Sequence, residues 1–292
     1  MPDRGFFISL LVFCVVCFFG LRFFVDHEVE KGIDQAVSET PGLTLAYGDI
    51  DVSIMNRTVK LVDVRATLPN GRQFTAREAL VTRFDRFNTI PYYMTAHAKG
   101  VALAVTPENF GPMAAPLIRA GVETVVCDVD LDYDYNAEAE ALTLHSLAVR
   151  ADNLCDLALS GSVDRLDLYR FRMEELIGLR IVQADLKVVN RSVVDTLITS
   201  ASRKLGVTLD EARSWIAAEL TSMAAYASRV ENTVAQDVFR GLAQFVNDPG
   251  QLDLGVRPDE PTPLLFFFMG RDMYDILRLL NVTATTDSSS QI

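Results

Sequence analysis

Between Val122 and Tyr135 the chain alternates strictly, with Cys127, Val129, Leu131, Tyr133 and Tyr135 on one side and Asp128, Asp130, Asp132 and Asp134 on the other. A period of two places successive side chains on opposite faces of a strand, so this segment has one buried and one wet face. A strand of that kind needs neighbours, and the flanking sequence supplies them. Leu43, Leu45 and Tyr47, then Ile50, Val52 and Ile54, alternate with polar residues. Val59 and Leu61, then Val62 and Val64, continue the pattern with a one-residue slip of phase, which predicts a bulge. Pro69-Asn70-Gly71 predicts a turn into a long strand from Arg72 to about Phe87, and Met94 to Val105 follows. Beyond a connecting helix over Phe110–Ala120, a second meander runs through Val122–Tyr135, Glu140–Arg150 and Asn153–Val163. Leu179, Ile181, Ala184, Leu186 and Val188 predict one more strand.

The period then changes. Ser192 to Leu205 is helical and ends at Gly206, a residue suited to the left-handed position past a helix end. Thr208-Leu209-Asp210-Glu211 is a capping box, and it opens a helix on which Trp215, Ile216, Leu220 and Met223 are expected to pack against the sheet. A third helix is expected from about Arg229 to Val246, stopped by Asp248-Pro249-Gly250. Leu252, Leu254 and Val256 make a return strand, and Asp272 to Leu280 a last short helix before a strand over Val282–Thr285. The pattern predicts an α+β chain: a curved antiparallel meander sheet backed by a C-terminal helical segment. No linker-like run divides it, so residues 43–189 form a β-rich region, 190–250 a helical segment and 251–286 the return strand and terminal helix of the same domain, with 287–292 a disordered tail.

Ahead of all this stands Gly5–Val25, twenty-one residues with Arg22 as their single charge. At 1.5 Å per residue such a helix spans roughly 30 Å, the thickness of a bilayer's hydrocarbon core. Phe23, Phe24 and Val25 lead straight into Asp26, so no small-residue cleavage site follows. Residues 1–25 are therefore read as a short cytoplasmic N-terminus and a retained transmembrane anchor, and 26–42 as a juxtamembrane helix ended by Pro41-Gly42. Lys and Arg counts on the two sides do not decide orientation. The formal net charge of −12 excludes phosphate-backbone binding as a first expectation, so no nucleic-acid partner is expected. Any further contact with a membrane surface must come from apolar groups or local basic spots.

No catalytic constellation emerges. A calcium loop read from Asp128 or Asp130 would need Gly at its sixth position and an acid at its twelfth, where Tyr133 and Ala139, or Tyr135 and Ala141, stand instead. The aspartates are expected to be a solvated strand face. His27, His97 and His145 lack partners at metal-ligand spacing, and His145 falls at a phase slip. Ser160-Gly161-Ser162 lacks the flanks of a nucleophile elbow, and no phosphate loop is present. Arg165, Arg170, Arg172 and Arg180 are expected to balance Asp164, Asp167, Glu174 and Glu175 rather than bind headgroups. Cys127 and Cys155 both point to the buried face, separated by a strand in a simple meander, which leans against a disulfide. No catalytic residue, metal ligand or cofactor is assigned.

The apolar stretch, the Pro41-Gly42 stop, Leu43-Thr44-Leu45-Ala46-Tyr47-Gly48-Asp49-Ile50 and Val59-Lys60-Leu61-Val62-Asp63-Val64 together resemble the opening of AsmA-like and YdgA-like bacterial envelope proteins. The resemblance covers Gly5 to about Phe87, and the second meander loosely. It implies an inner-membrane anchor, an elongated twisted sheet in the periplasm and a part in lipid handling or envelope homeostasis. The first functional expectation is a non-enzymatic membrane-anchored envelope protein that binds or passes on a hydrophobic ligand, expected to be a lipid. Its groove would be lined by Leu45, Tyr47, Val52, Ile54, Phe74, Leu80, Val129, Leu131, Tyr133, Leu157 and Leu159. The alternative is an interaction or scaffold subunit with a filled core and an envelope protein partner. A contiguous apolar trough favours the first, and an exposed apolar patch over a filled core the second.

The anchor reading is tested by topology. A phosphatase fused after Val25 is expected to be active and the mature chain to retain its N-terminus. An inactive fusion, or a mature N-terminus beyond Phe24, would refute it.

Overall fold

The computed structural model describes residues 44–53, 58–67, 71–85, 88, 91–167, 178–267, 269 and 271–287. The expected anchor, the juxtamembrane helix and residues 288–292 of the expected tail lie outside these residues, whereas Asp287, placed in that tail by the sequence, ends a strand. Among the described residues no helix is long and apolar enough to cross a membrane. The fold is α+β, mostly antiparallel sheet with helices on the C-terminal side. It divides into two compact units, residues 1–133 with 148–151, and residues 134–147 with 152–292. The division runs through two strands.

In the first unit, β1 (Thr44–Ala46) and β2 (Asp49–Ser53) pair end to end along one side of β3 (Thr58–Thr67). β3 pairs with β4 (Gln73–Phe84), and β4 with β5 (Tyr93–Ala104). Two short helices, α1 (Pro107–Phe110) and α2 (Ala114–Ala120), lead into β6 (Thr124–Asn136). The expected single helix over Phe110–Ala120 is thus two, joined by a 3-10 turn at Gly111–Met113. Gly121 stops α2 at φ 94°, a conformation that suits glycine because other residues would crowd their Cβ there.

The predicted phase slip is present, but the β3–β4 register is the same on both sides of it, so no residue is inserted. Instead the buried positions slip together in three strands. They pass from Val59 and Leu61 to Val64 and Ala66 in β3, from Phe74 and Ala76 to Ala79 and Val81 in β4, and from Ala98 to Val101 in β5. Continuing the β3–β4 and β4–β5 registers places Asp63, Arg77 and Gly100 in one row across the sheet. Asp63 and Gly100 both have positive φ, 53° and 63°. A Cβ on Gly100 would lie 2.2 Å from Nε of Arg77, so the row is a crease that only glycine allows at that point. At its outer end Gly48 interrupts the edge between β1 and β2 and donates its N–H to the Val62 carbonyl at 2.8 Å.

In the second unit, β8 (Cys155–Asp164), β9 (Arg180–Asn190), β10 (Gln251–Val256) and β12 (Val282–Asp287) pair antiparallel in that order, and β11 (Thr262–Pro263) pairs with the start of β9. β7 (Ala141–Ala151) contributes residues to both units, as β6 does. Between β9 and β10 come α3 (Val193–Leu205), α4 (Leu209–Arg229) and α5 (Thr233–Asn247), and α6 (Met273–Leu279) precedes β12. The capping box forms as predicted, with Thr208 and Glu211 bonding each other's backbone N–H. Gly206 ends α3 at φ 70°. α4 runs on to Arg229, so the third helix begins at Thr233 and not at Arg229; the side chain of Asn232 caps it.

The helices bury one face of this sheet. Val194 and Ile198 of α3, Ala212 of α4, Phe245 of α5 and Leu252 of β10 form one core cluster, with Val188, Leu254 and Ala284 packed against it. Ala224 and Ala227 of α4 meet Ala235 and Phe239 of α5 in a second, where small residues let the helices approach closely. The expectation for Trp215 is corrected. Ile216, Leu220 and Met223 do pack inward, but Trp215 is 57% exposed. The inward stripe runs through Ala212, Ile216, Leu220, Met223 and Ala227, and one step off it turns a side chain about 100° away.

Candidate functional site

The aspartates of β6 are half-buried, and each has a partner, so they are not the freely solvated face expected. Asp128 accepts the Gly100 N–H at 2.7 Å, the donor that the crease frees from the ladder. Asp130 accepts from His97 Nδ1 at 2.7 Å and also from Arg150. Asp132 accepts from the Thr95 hydroxyl at 3.0 Å, with Arg83 3.9 Å away. In the second unit Asp134 pairs with Nε2 of His145 at 2.8 Å. Burial works against the charge on Asp130, but the hydrogen bonds and charges of His97 and Arg150 outweigh it and hold its carboxyl below the usual range. This is a cross-strand tie. Among the described residues no group of three or more His, Cys, Asp or Glu is placed to hold a metal ion.

Within the first unit the expected groove residues do not share one open face. Val129 and Leu131 are buried, and so is Phe74. Leu80 is half-buried opposite His97, whose ring meets Asp130; Val129 and Leu131, next to Asp130 in sequence, point to the other face. Tyr133 is half-buried and donates its hydroxyl to the Pro91 carbonyl at 3.1 Å. Leu45 pairs with Ala66 at the edge, Tyr47 follows β1, and Val52 pairs with Val59. Ile54 lies outside the described residues. Leu157 and Leu159 stand opposite Val188 and Leu186, on the side of the second unit's sheet that packs on the helices along β9, β10 and β12, and both are half-buried.

The other side of that sheet carries a groove of about 470 Å³. Its floor follows from the register: Ala158 and Ser160 of β8 face Lys187 and Asp185 of β9, which face Asp253 and Gly255 of β10, which face Thr285 and Thr283 of β12. Small side chains make the depression, and a Cβ at Gly255 would come within 2.7 Å of the Thr283 hydroxyl, so a larger residue there would displace that side chain. Asp185 is held by both oxygens on Arg257 Nη2 at 2.7 and 2.8 Å, and Asp253 accepts from the Gln251 amide at 2.6 Å. Lys187, although directly opposite Asp253, makes no ion pair with any described residue. The groove therefore offers hydroxyls, compensated carboxylates and one available ammonium.

These residues were visible in the sequence as the polar half of an alternation whose apolar half, Leu186, Val188 and Leu254, drew the attention. Arg180 forks onto Asp164 through Nε at 2.6 Å and Nη2 at 2.5 Å, the charge balance expected for it. Neither Cys127 nor Cys155 is in a disulfide, and burial beside Asp156 pushes the Cys155 thiol up to about 11.

A family model described as "Uncharacterized protein" matches residues 135–287, just over half of the chain. No curated protein matches it.

A carboxyl held low in the fold stabilises it above the carboxylate's unfolded pKa of about 3.9 and loses that contribution as pH falls through the lower folded value. Asp130→Asn is therefore expected to narrow the stability difference between pH 7 and pH 3, measured by urea unfolding. An unchanged difference would show that the His97 and Arg150 contacts do not favour its charged form.

Proposed function

We propose that this chain, which belongs to the uncharacterized family matched over residues 135–287, is a membrane-anchored envelope protein that serves as an interaction subunit and does no chemistry of its own. The carrying observation is the division of labour between the two faces of the second unit's sheet. One face packs against α3, α4 and α5 along β9, β10 and β12, and the other carries a groove with Lys187, which is unpaired among the described residues. A carrier of hydrophobic ligand needs an apolar face that the ligand can reach. Here the apolar side of β9, β10 and β12 meets helices, and Phe74, Val129 and Leu131 of the first unit are core. Hydroxyls and a single ammonium suit a polar, hydrogen-bonding segment of a partner chain that carries a carboxylate.

The envelope placement draws on Gly5–Val25 as an anchor and on the resemblance of the opening strands to AsmA-like and YdgA-like proteins. In that setting the described domains lie on the periplasmic side of an inner membrane, and the partner is another envelope protein.

A photo-crosslinking residue in place of Thr285, in the full chain in its own membrane, is expected to give a discrete protein adduct. Lys187→Glu is expected to weaken that adduct about tenfold, in keeping with loss and reversal of one charge at a docking surface. A lipid adduct at Thr285, or no adduct with the chain intact, would reject the interaction-subunit reading.

A further inference from the structure

α4 carries two stripes. The inward one, Ala212, Ile216, Leu220, Met223 and Ala227, packs on the core clusters. The other lies on the far side of the helix and consists of Glu211, Trp215, Ala218, Ser222, Ala225 and Arg229, all six of them exposed. From Glu211 to Arg229 is eighteen residues, taken in five steps of four, three, four, three and four. The mean step is therefore the helix repeat itself, about 3.6 residues, and the stripe runs straight along roughly 27 Å of surface. Trp215 stands open on it at 57%. The packing of α4 within its own unit has no use for an indole there.

The outer stripe is complementary to its own reverse. Leu220 marks its midpoint, and positions equally far from it on either side match: Glu211 with Arg229, Trp215 with Ala225, Ala218 with Ser222. An acid answers a base, the one large ring answers a small residue, and both middle positions are small. In an antiparallel pair of α4 helices these are the positions that meet, because a two-fold axis brings residue i onto j and j onto i. The small middle residues let the two axes approach to about 8 Å. Each indole then lies over an alanine of the other copy, and Glu211 and Arg229 close both ends. A parallel pair would instead set Glu211 on Glu211, Trp215 on Trp215 and Arg229 on Arg229. The end charges are available, since Arg229 makes no ion pair with any described residue. Glu211 bonds Thr208 through Oε2, at 2.8 and 2.9 Å, which leaves Oε1 for a second donor.

We propose that two copies of this chain pair through antiparallel α4 helices, with the two-fold axis at the level of Leu220. A match about a midpoint serves a second copy of the same helix and no other occupant. One helix pair covers less than the roughly 800 Å² per partner of a stable complex, so this dimer comes apart on dilution. The groove lies on the opposite side of the sheet from the helices, so the pairing leaves it open and does not depend on what fills it.

Trp215 is the sole tryptophan of the chain, so its fluorescence reports on this stripe alone. The full chain in non-ionic detergent micelles is expected to sediment as a dimer at high concentration, with Trp215 shielded from iodide, and to lose both properties together on dilution. Ala218→Glu and Ser222→Lys, each alone, are expected to weaken the dimer about tenfold by setting like charges close to the axis. Combined in one chain they are expected to restore it, because the new acid then meets the new base of the other copy. Both positions are exposed, and circular dichroism checks that the helices survive; the dilution series on the unaltered chain stands without either variant. Trp215 equally open to iodide at every concentration overturns the proposal. A dimer that shields Trp215 but is not restored by the combined substitutions also overturns it, since the helices then meet in another arrangement.

Discussion

The second unit depends on how closely α5 lies on β12. Gly241 faces Ala284 so tightly that a Cβ on the glycine would sit 3.1 Å from the alanine Cβ and 3.2 Å from its carbonyl oxygen. Two small residues at that point let the helix come down onto the sheet, and Val238, Phe239, Ala243 and Phe245 are buried as a result. α4 then packs on α5 through Ala224, Ala227 and Ala235, and α3 completes the layer through Val194 and Ile198. Each buried aliphatic or aromatic side chain contributes about 1.5–3 kcal/mol relative to exposure. The layer can form as a unit because no bulky group holds its first contact open.

That packing decides which surfaces remain for function. With the apolar side of β9, β10 and β12 taken, the open side holds Ser160, Lys187, Asp253, Thr283 and Thr285. The helices in turn leave out whatever does not fit their inward stripe, and so Trp215 and the aliphatics of the α3–α4 corner face outward. In the first unit the same economy applies along the crease at Asp63, Arg77 and Gly100. There the backbone turns through left-handed residues, and the freed Gly100 N–H is recovered by Asp128.

Much of the fold was legible from periodicity. The alternation around Val129 and Leu131 marks β6 and its buried face, and Thr208 with Glu211 marks the start of α4, because both signals are local and carried by residue type. The phase slip at Leu61 to Val64 was visible, but its cause was not. A left-handed residue and an inserted one leave the same trace in one strand, and only the matching slips in β4 and β5 separate them. Trp215 was misplaced for a related reason: hydrophobicity does not say on which side of a helix stripe a borderline position falls, and an alanine seam has no room for an indole. The groove was missed because it is built from residues that look like an ordinary wet face. Only the register brings Lys187 opposite Asp253 without pairing them.

The claim at the centre of this account is that the apolar face of the second unit is filled, with no spare volume beneath α5. Gly241→Leu in the full chain tests it, followed by hydrogen exchange at the amides of α5 and β12. A filled face predicts a net destabilisation of about 2 kcal/mol, overpacking outweighing the roughly 0.8 kcal/mol of helix propensity gained on leaving glycine, and so exchange about thirtyfold faster in both elements. Unchanged or slower exchange would mean that the leucine finds room, and that a cavity able to take an acyl chain lies between helix and sheet after all.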